Sequence, residues 1–172
     1  RLSGVGLPAR LTLFINTKKE IEFEGGFLFT HFGFSGPTAL NISRHWDRSS
    51  EINKEIQASF LPSKNNAQMA DLLSGLRDTS PASHIRRCLS SLIPERLTEL
   101  VLEKCQIPLS RTCAQLRKEE QVSLIQQILN CPLPVSGIFG YTKAEVTAGG
   151  VKLSEVNDQT MESKLQKGLF FA

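Results

Sequence analysis

FTHFGFSGP, residues 29–37, is where the chain changes its periodicity. Before it, apolar residues alternate as a half-buried strand requires; after it they recur at helical spacing, through Leu40 and Ile42 to His45 and Trp46. Ser35 or Gly36 can cap that helix, Pro37 fits a first turn where its missing N–H costs nothing, and Gly33 permits an unusual backbone angle. The helix start also offers free N–H groups and a partial positive charge, suited to a phosphate or carboxylate. Residue chemistry alone leaves three readings: a catalytic loop, an anion cradle, or the corner at which a strand becomes a helix.

Upstream, residues 9–15 alternate and are rich in strand formers, Lys18-Lys19 makes a charged turn, and residues 20–30 resume with Ile21, Phe23 and Phe27. Gly25-Gly26 interrupts that second strand as a bulge or turn would. A further strand is expected over residues 52–60, ended by Pro62. Four helical stripes follow, carried by Met69, Leu72, Leu73 and Leu76, by Ile85, Cys88, Leu89 and Leu92, by Leu97, Leu100 and Val101, and by Val122, Ile125, Ile128 and Leu129. Pro94 marks one helix start, and Ser110 is a candidate cap before residues 111–116. Pro132 and Pro134 close the helical block, and strand-like text returns at residues 135–139 and 143–147. The order predicts an α+β fold: a β-barrel-like antiparallel subdomain, residues 1–62 and 132–148, interrupted by a small helical subdomain, residues 63–131.

A hydrophobic fraction of 40% and a charged fraction of 22% argue against disorder. The net charge of +3 spreads as +1 over residues 1–62, +2 over 63–131 and zero beyond, too evenly for a nucleic-acid footprint. No apolar run approaches the roughly 20 residues that span a bilayer, so no membrane partner is expected. Cys88, Cys105, Cys113 and Cys131 lie 17, 8 and 18 residues apart, unlike a zinc site or a redox pair, and read as reduced thiols of a cytoplasmic protein. The chain opens on Arg1 and ends on GLFFA with no turn after it, and a bare apolar strand edge invites pairing. The expectation is a piece of a longer protein.

For chemistry, His31 sits between two aromatics and could orient a ligand, or be hydrogen-bonded at a strand end. Ser35 lacks the second glycine of a nucleophile elbow, because Pro37 occupies that place. His45 and His84 stand without spaced metal-ligand partners, so no metal site is expected, and Arg86-Arg87 and Arg117-Lys118 read as solvated helix faces. No dinucleotide fingerprint or phosphate loop occurs. Thr147-Ala-Gly-Gly150 is a second glycine feature, at which backbone can pass close to another body.

Four segments together, LFTHFGFSGP at 28–37, VTAGGV at 146–151, TMESK at 160–164 and GLFFA at 168–172, resemble one family. It is that of the NAD(P)/FAD-dependent oxidoreductases that include BaiN-type reductases and aminoacetone oxidase. The resemblance implies an insert domain of a flavoprotein, with residues 149–172 re-entering an FAD-binding domain that lies outside this sequence. It further implies FAD as the cofactor of the parent and NAD(P)H as an electron source, with none of the cofactor held by this piece alone. The FAD-binding domain of the same parent chain and a small-molecule substrate are the implied partners. Thr30, His31, Ser35 and Gly36 would face the substrate, His31 as a catalytic residue, and Thr147, Ala148, Gly149 and Gly150 would pass near the flavin. A module serving only protein–protein interaction is the alternative.

Overall fold

The computed structural model describes residues 1–172 apart from Val146 and Ala148. It divides into two compact units, Arg1–Ile138 and Phe139–Ala172.

In the first unit, β1 (Gly6–Ile15), β2 (Lys18–Phe29), β3 (Phe34–Ser35), β4 (Lys54–Ser59) and β5 (Cys131–Leu133) form one antiparallel sheet in the order β3–β2–β1–β4–β5. The sheet curls into a half-barrel. Alternation does the sorting: Leu7, Ala9, Leu11 and Leu13 on β1, Phe27 and Phe29 on β2, and Ile56 and Ala58 on β4 are all buried. Cross-strand register places Leu11 between Phe23 and Ala58, and Leu13 between Ile21 and Ile56. β1 turns into β2 at Asn16-Thr17, not at Lys18-Lys19. Both turn residues have positive φ, 50° and 68°, as a two-residue hairpin needs, and asparagine tolerates that region.

Gly25-Gly26 does not interrupt β2, which runs through to Phe29. The glycines serve a neighbour instead. Helix α1 (Pro37–Arg48) starts directly above them. A Cβ at Gly26 would meet Pro37 Cδ at 3.5 Å, and one at Gly25 would meet Thr38 Oγ1 at 3.4 Å. Thr38, almost fully buried, donates its hydroxyl to the Gly26 carbonyl at 2.9 Å. At the other end of α1, Lys54 Nζ donates to the Trp46 and Ser49 carbonyls at 2.8 and 2.9 Å and lies 4.8 Å from the Trp46 ring centroid. A cation there satisfies late helix carbonyls and favours the negative end of the helix dipole.

The helical block comprises α2 (Asn66–Thr79), α3 (Ile85–Ser90), α4 (Glu95–Lys104) and α5 (Lys118–Leu129), with a 3-10 turn at Cys113–Gln115. The predicted stripes point inward except at two places. Leu92 lies beyond the end of α3, and Val122 is 67% exposed while Glu120, Gln121 and Leu124 are buried on α5. Among the described residues Ser110 makes no cap bond; Thr112 precedes the 3-10 turn, and its backbone N–H donates to Gln115 Oε1 at 3.5 Å. Glu120 is buried because it is fully partnered: its carboxylate accepts from the Arg117 backbone N–H at 2.8 Å and pairs with Arg111 and Arg117 at 3.0 and 3.1 Å. Burial pushes its pKa up, but the Arg117 hydrogen bonds and the two guanidiniums outweigh that and hold it below the usual carboxylate value.

Strand β5 is three residues around Pro132, tolerated at a sheet edge because Pro has no N–H to give. The strand expected at residues 135–139 does not form among the described residues: Pro134 and Gly137 disfavour it, and no ladder is offered to it. That expected at 143–147 is a turn over its first residue and has no described strand, Val146 lying outside the described residues. The second unit holds together by an Asn157 side chain accepting from Gln159 N and Thr160 N, by bridges Val156–Ser163 and Glu162–Phe170, and by buried Val156. Among the described residues GLFFA contributes one bridge, Glu162–Phe170, closed by the Ser163 N–H donating to the Leu169 carbonyl at 2.7 Å and the Phe171 N–H to the Met161 carbonyl at 2.9 Å.

Two predictions follow from the packing. Gly36 has φ 90°, and a Cβ there would lie 2.7 Å from the Gly26 carbonyl oxygen. Gly36→Ala is expected to cost about 2–4 kcal/mol, whereas Gly75→Ala, in open space inside α2, gains about 0.5–1 kcal/mol; equal urea midpoints for the two variants would contradict this account. Glu120 has a lowered folded pKa, so its stabilisation is present above its unfolded value near 4.5 and is lost as pH falls through the folded value. Glu120→Gln is expected to lower stability at pH 7 by about 1–3 kcal/mol and to flatten the acid side of the stability–pH curve; an unchanged curve refutes the role.

Candidate functional site

The corner of residues 29–37 is built outward from an aromatic cluster. Phe27, Phe29, Phe34 and Phe60 stack with ring centroids 5.0–6.3 Å apart, and Phe27 and Phe60 are almost fully buried. With Phe29 and Phe34 paired across the strands, the four residues between them must turn outward. Thr30 closes that turn. Its backbone N–H and its hydroxyl both donate to the Gly33 carbonyl, at 2.8 and 3.0 Å, and its hydroxyl accepts from Phe32 N at 3.3 Å. Gly33 takes φ 150° to finish it.

Two side chains are left at the tip. His31 is exposed and makes no side-chain hydrogen bond among the described residues; Phe32 is 84% exposed. An imidazole and an aromatic face on consecutive residues of a hydrogen-bonded turn can grip a flat, polar-edged molecule: the ring stacks, and the imidazole donates to or accepts from its edge. Ser35 is half-buried, with its backbone paired to Leu28. Gly36 is the N-cap residue of α1, without a side-chain cap bond, and Pro37 follows.

Thus Thr30, His31, Ser35 and Gly36 share one corner. Thr30 has its hydroxyl engaged by the turn, and Gly36 is fixed by its contact with β2, which leaves His31 and Ser35 without side-chain hydrogen bonds among the described residues. Phe32 escaped the sequence reading, although an aromatic between His31 and Gly33 in a tight turn has nowhere to bury itself. Thr147, Gly149 and Gly150 belong to the second unit; Gly149 and Gly150 have φ 145° and 120°, and a Cβ at either would meet nothing within 4 Å. Ala148 lies outside the described residues.

Elsewhere, His45 lies 5.6 Å from the Phe23 ring, and burial with Arg44 and Arg48 holds its pKa below the usual value. Cys88 and Cys113 bring their sulfurs to 3.7 Å, and burial, with Cys88 beside it, pushes the Cys113 thiol to about 11, so it is a poor nucleophile. All four cysteines are free. No group of three or more metal-ligating side chains occurs among the described residues, and no helix among them is long and apolar enough to cross a membrane.

Comparison with known proteins gives the corner its context. The HI0933-like protein barrel and H2TH domain matches residues 1–146. The chain is 32% identical over 170 residues to ribosomal RNA dihydrouridine synthase of Escherichia coli, covering 99% of this chain and 40% of that protein. The Haemophilus influenzae protein of the same name is 31% identical, over 99% of this chain and 39% of its own length. The 3-dehydro-bile acid delta(4,6)-reductase of Clostridium scindens is 26% identical over 172 residues, 99% of this chain and 42% of that protein. The chain therefore spans about two fifths of the length of these curated relatives. A half-barrel sheet carrying a helical block, matched from its first residue to 146, makes this chain a member of the HI0933-like flavoprotein oxidoreductase family, whose barrel and H2TH domain it comprises.

Proposed function

We propose that this chain is the substrate-side insert of an FAD-dependent reductase that saturates a carbon–carbon double bond conjugated to a carbonyl, with uridine in ribosomal RNA as its substrate class. The observation that carries the reading is the 31–32% identity, over 99% of the chain, to two proteins named for making dihydrouridine in ribosomal RNA. The third relative, named for reducing delta(4,6) bonds of a 3-dehydro bile acid, shares the bond chemistry: in both, hydrogen is added across an alkene that a carbonyl activates. Evenly dispersed charge argued against nucleic acid, but an insert that supplies only a few phosphate contacts needs no concentrated basic stripe.

FAD, when bound by the rest of the parent protein, supplies the hydride, and NAD(P)H is the electron source. The bare backbone at Gly149 and Gly150 fits a flat ring lying against it, one wall of such a site, while no phosphate-binding loop is present here. In the first unit, Phe32 stacks on the planar substrate ring and His31 reaches its carbonyl edge. As hydride adds to the carbon β to that carbonyl, the π electrons move onto the oxygen, and an N–H of His31 hydrogen-bonds the charge that develops there. A solvent-derived proton then completes the α-carbon. Thr30 and Gly33 hold the tip rigid, which is the positioning such chemistry needs. A ribosomal RNA substrate also agrees with a cytoplasmic location.

The second reading is a small conjugated enone as substrate, favoured by the bile-acid reductase relative. The complete flavoprotein distinguishes the two: ribosomal RNA from cells lacking the gene, incubated with enzyme and NAD(P)H, should gain dihydrouridine by nucleoside mass spectrometry. Failure on RNA together with turnover of a steroid enone replaces the first reading with the second. His31→Ala is expected to lower turnover about 100-fold with flavin occupancy and unfolding midpoint unchanged; turnover equal to that of the unaltered protein would remove the catalytic role.

A further inference from the structure

Cys88 and Cys113 stand 25 residues apart in sequence, yet their sulfurs lie 3.7 Å from each other. Backbone pairing brings them together. His84 and Thr112 form an antiparallel bridge, in which Ile85 N donates to the Arg111 carbonyl and Cys113 N to the Ser83 carbonyl, both at 2.9 Å. Cys113 opens the 3-10 turn directly after that bridge, and Cys88 lies about one helical turn past it on α3. The other two thiols are engaged elsewhere. Cys131 Sγ donates to Gln127 Oε1 and to the Pro132 carbonyl, each at 3.7 Å, and Cys105 hydrogen-bonds Ser123.

The paired sulfurs differ in access. Cys113 is buried, whereas Cys88 is half-buried, so a small reagent in solution meets Cys88 first and Cys113 has only to reach Cys88. A disulfide needs about 2 Å between its sulfurs. From 3.7 Å, with the backbone bridge already in place, that closure is within the reach of side-chain rotation. Disulfides formed in a reducing compartment are typically transient and redox-sensing.

We propose that Cys88 and Cys113 are a redox catch: a peroxide joins them as a reversible disulfide that locks α3 to the segment leading into α5. With hydrogen peroxide as the oxidant, the Cys88 sulfur, having lost its proton, attacks one peroxide oxygen. The O–O bond breaks, Cys88 becomes a sulfenic acid, and the departing hydroxide takes up the proton as a first water. The Cys113 sulfur then attacks the Cys88 sulfur. The S–O bond breaks as the S–S bond forms, and the hydroxyl leaves with the Cys113 proton as a second water. Two thiols have given up two electrons and two protons, and one peroxide has become two waters. A dithiol reverses the catch by thiol–disulfide exchange. The catch holds whichever substrate the parent protein reduces.

The test uses the complete flavoprotein, treated in its native state with hydrogen peroxide, alkylated, and digested with trypsin without reductant. Cleavage after Arg87, Arg96, Arg111 and Arg117 isolates the two cysteines on peptides 88–96 and 112–117. In most of the protein these peptides are expected as one species, lighter than their sum by two hydrogens, that separates on treatment with dithiothreitol. Cys88→Ser and Cys113→Ser should each abolish it, and Cys105→Ser should leave it intact. Amide hydrogen exchange over residues 85–90 should slow about 10-fold in the oxidised protein and recover on reduction. Peptides that stay separate, or that link only once the protein has been unfolded, overturn the proposal. Linked peptides with unchanged exchange over α3 overturn the lock.

Discussion

Everything at the candidate site depends on one close approach: the backbone of Gly36 lying against the backbone of Gly26 and Phe27. An added Cβ would sit 2.7 Å from an oxygen and 3.1–3.2 Å from two carbons, so only glycine admits the contact. That proximity lets Thr38 reach the Gly26 carbonyl, seats Pro37 over β2, and starts α1 across the sheet. It also fixes the far end of the turn whose near end is Phe29. With both ends anchored, residues 30–33 have one short path between them, and His31 and Phe32 are presented at its tip.

How much of this was legible in the sequence differs by element. Alternation in β1 and the stripes of α2, α4 and α5 were readable because burial on one face imposes a period, and period is a local property. The Gly25-Gly26 pair was misleading for the opposite reason. Its cause is a helix that begins eleven residues after Gly26, so local reasoning could only call the pair a break. Glu120 was invisible as a core residue because its burial depends on Arg111 and Arg117 arriving together, one across a 3-10 turn and one at the helix start. Residues 135–139 show the limit of strand propensity: Val135, Ile138 and Phe139 favour extended backbone, yet a strand exists only where a ladder receives it.

The site divides similarly. That Thr30, His31, Ser35 and Gly36 share a corner could be read from their closeness in sequence. What each does there could not. Thr30 looks like a substrate-facing hydroxyl until its bonds to Gly33 and from Phe32 are seen, after which it is the clasp of the turn. Arg86 and Arg87 looked alike as solvated neighbours, and one hundred degrees of helix rotation separates them. Arg86 falls between two glutamates of α4, while Arg87 falls on the open side.

Under the proposed function, the insert's part in the chemistry falls to one corner. The tip of the β2–β3 turn meets the group being reduced, where a flat conjugated carbonyl asks only for one stacking face and one hydrogen-bond donor. Those demands are the same for a pyrimidine and for a steroid enone, so the corner by itself cannot discriminate between them. Discrimination must come from surface that touches the rest of the substrate. The chemistry can then stay with the glycine-locked corner while other surface makes the choice of substrate.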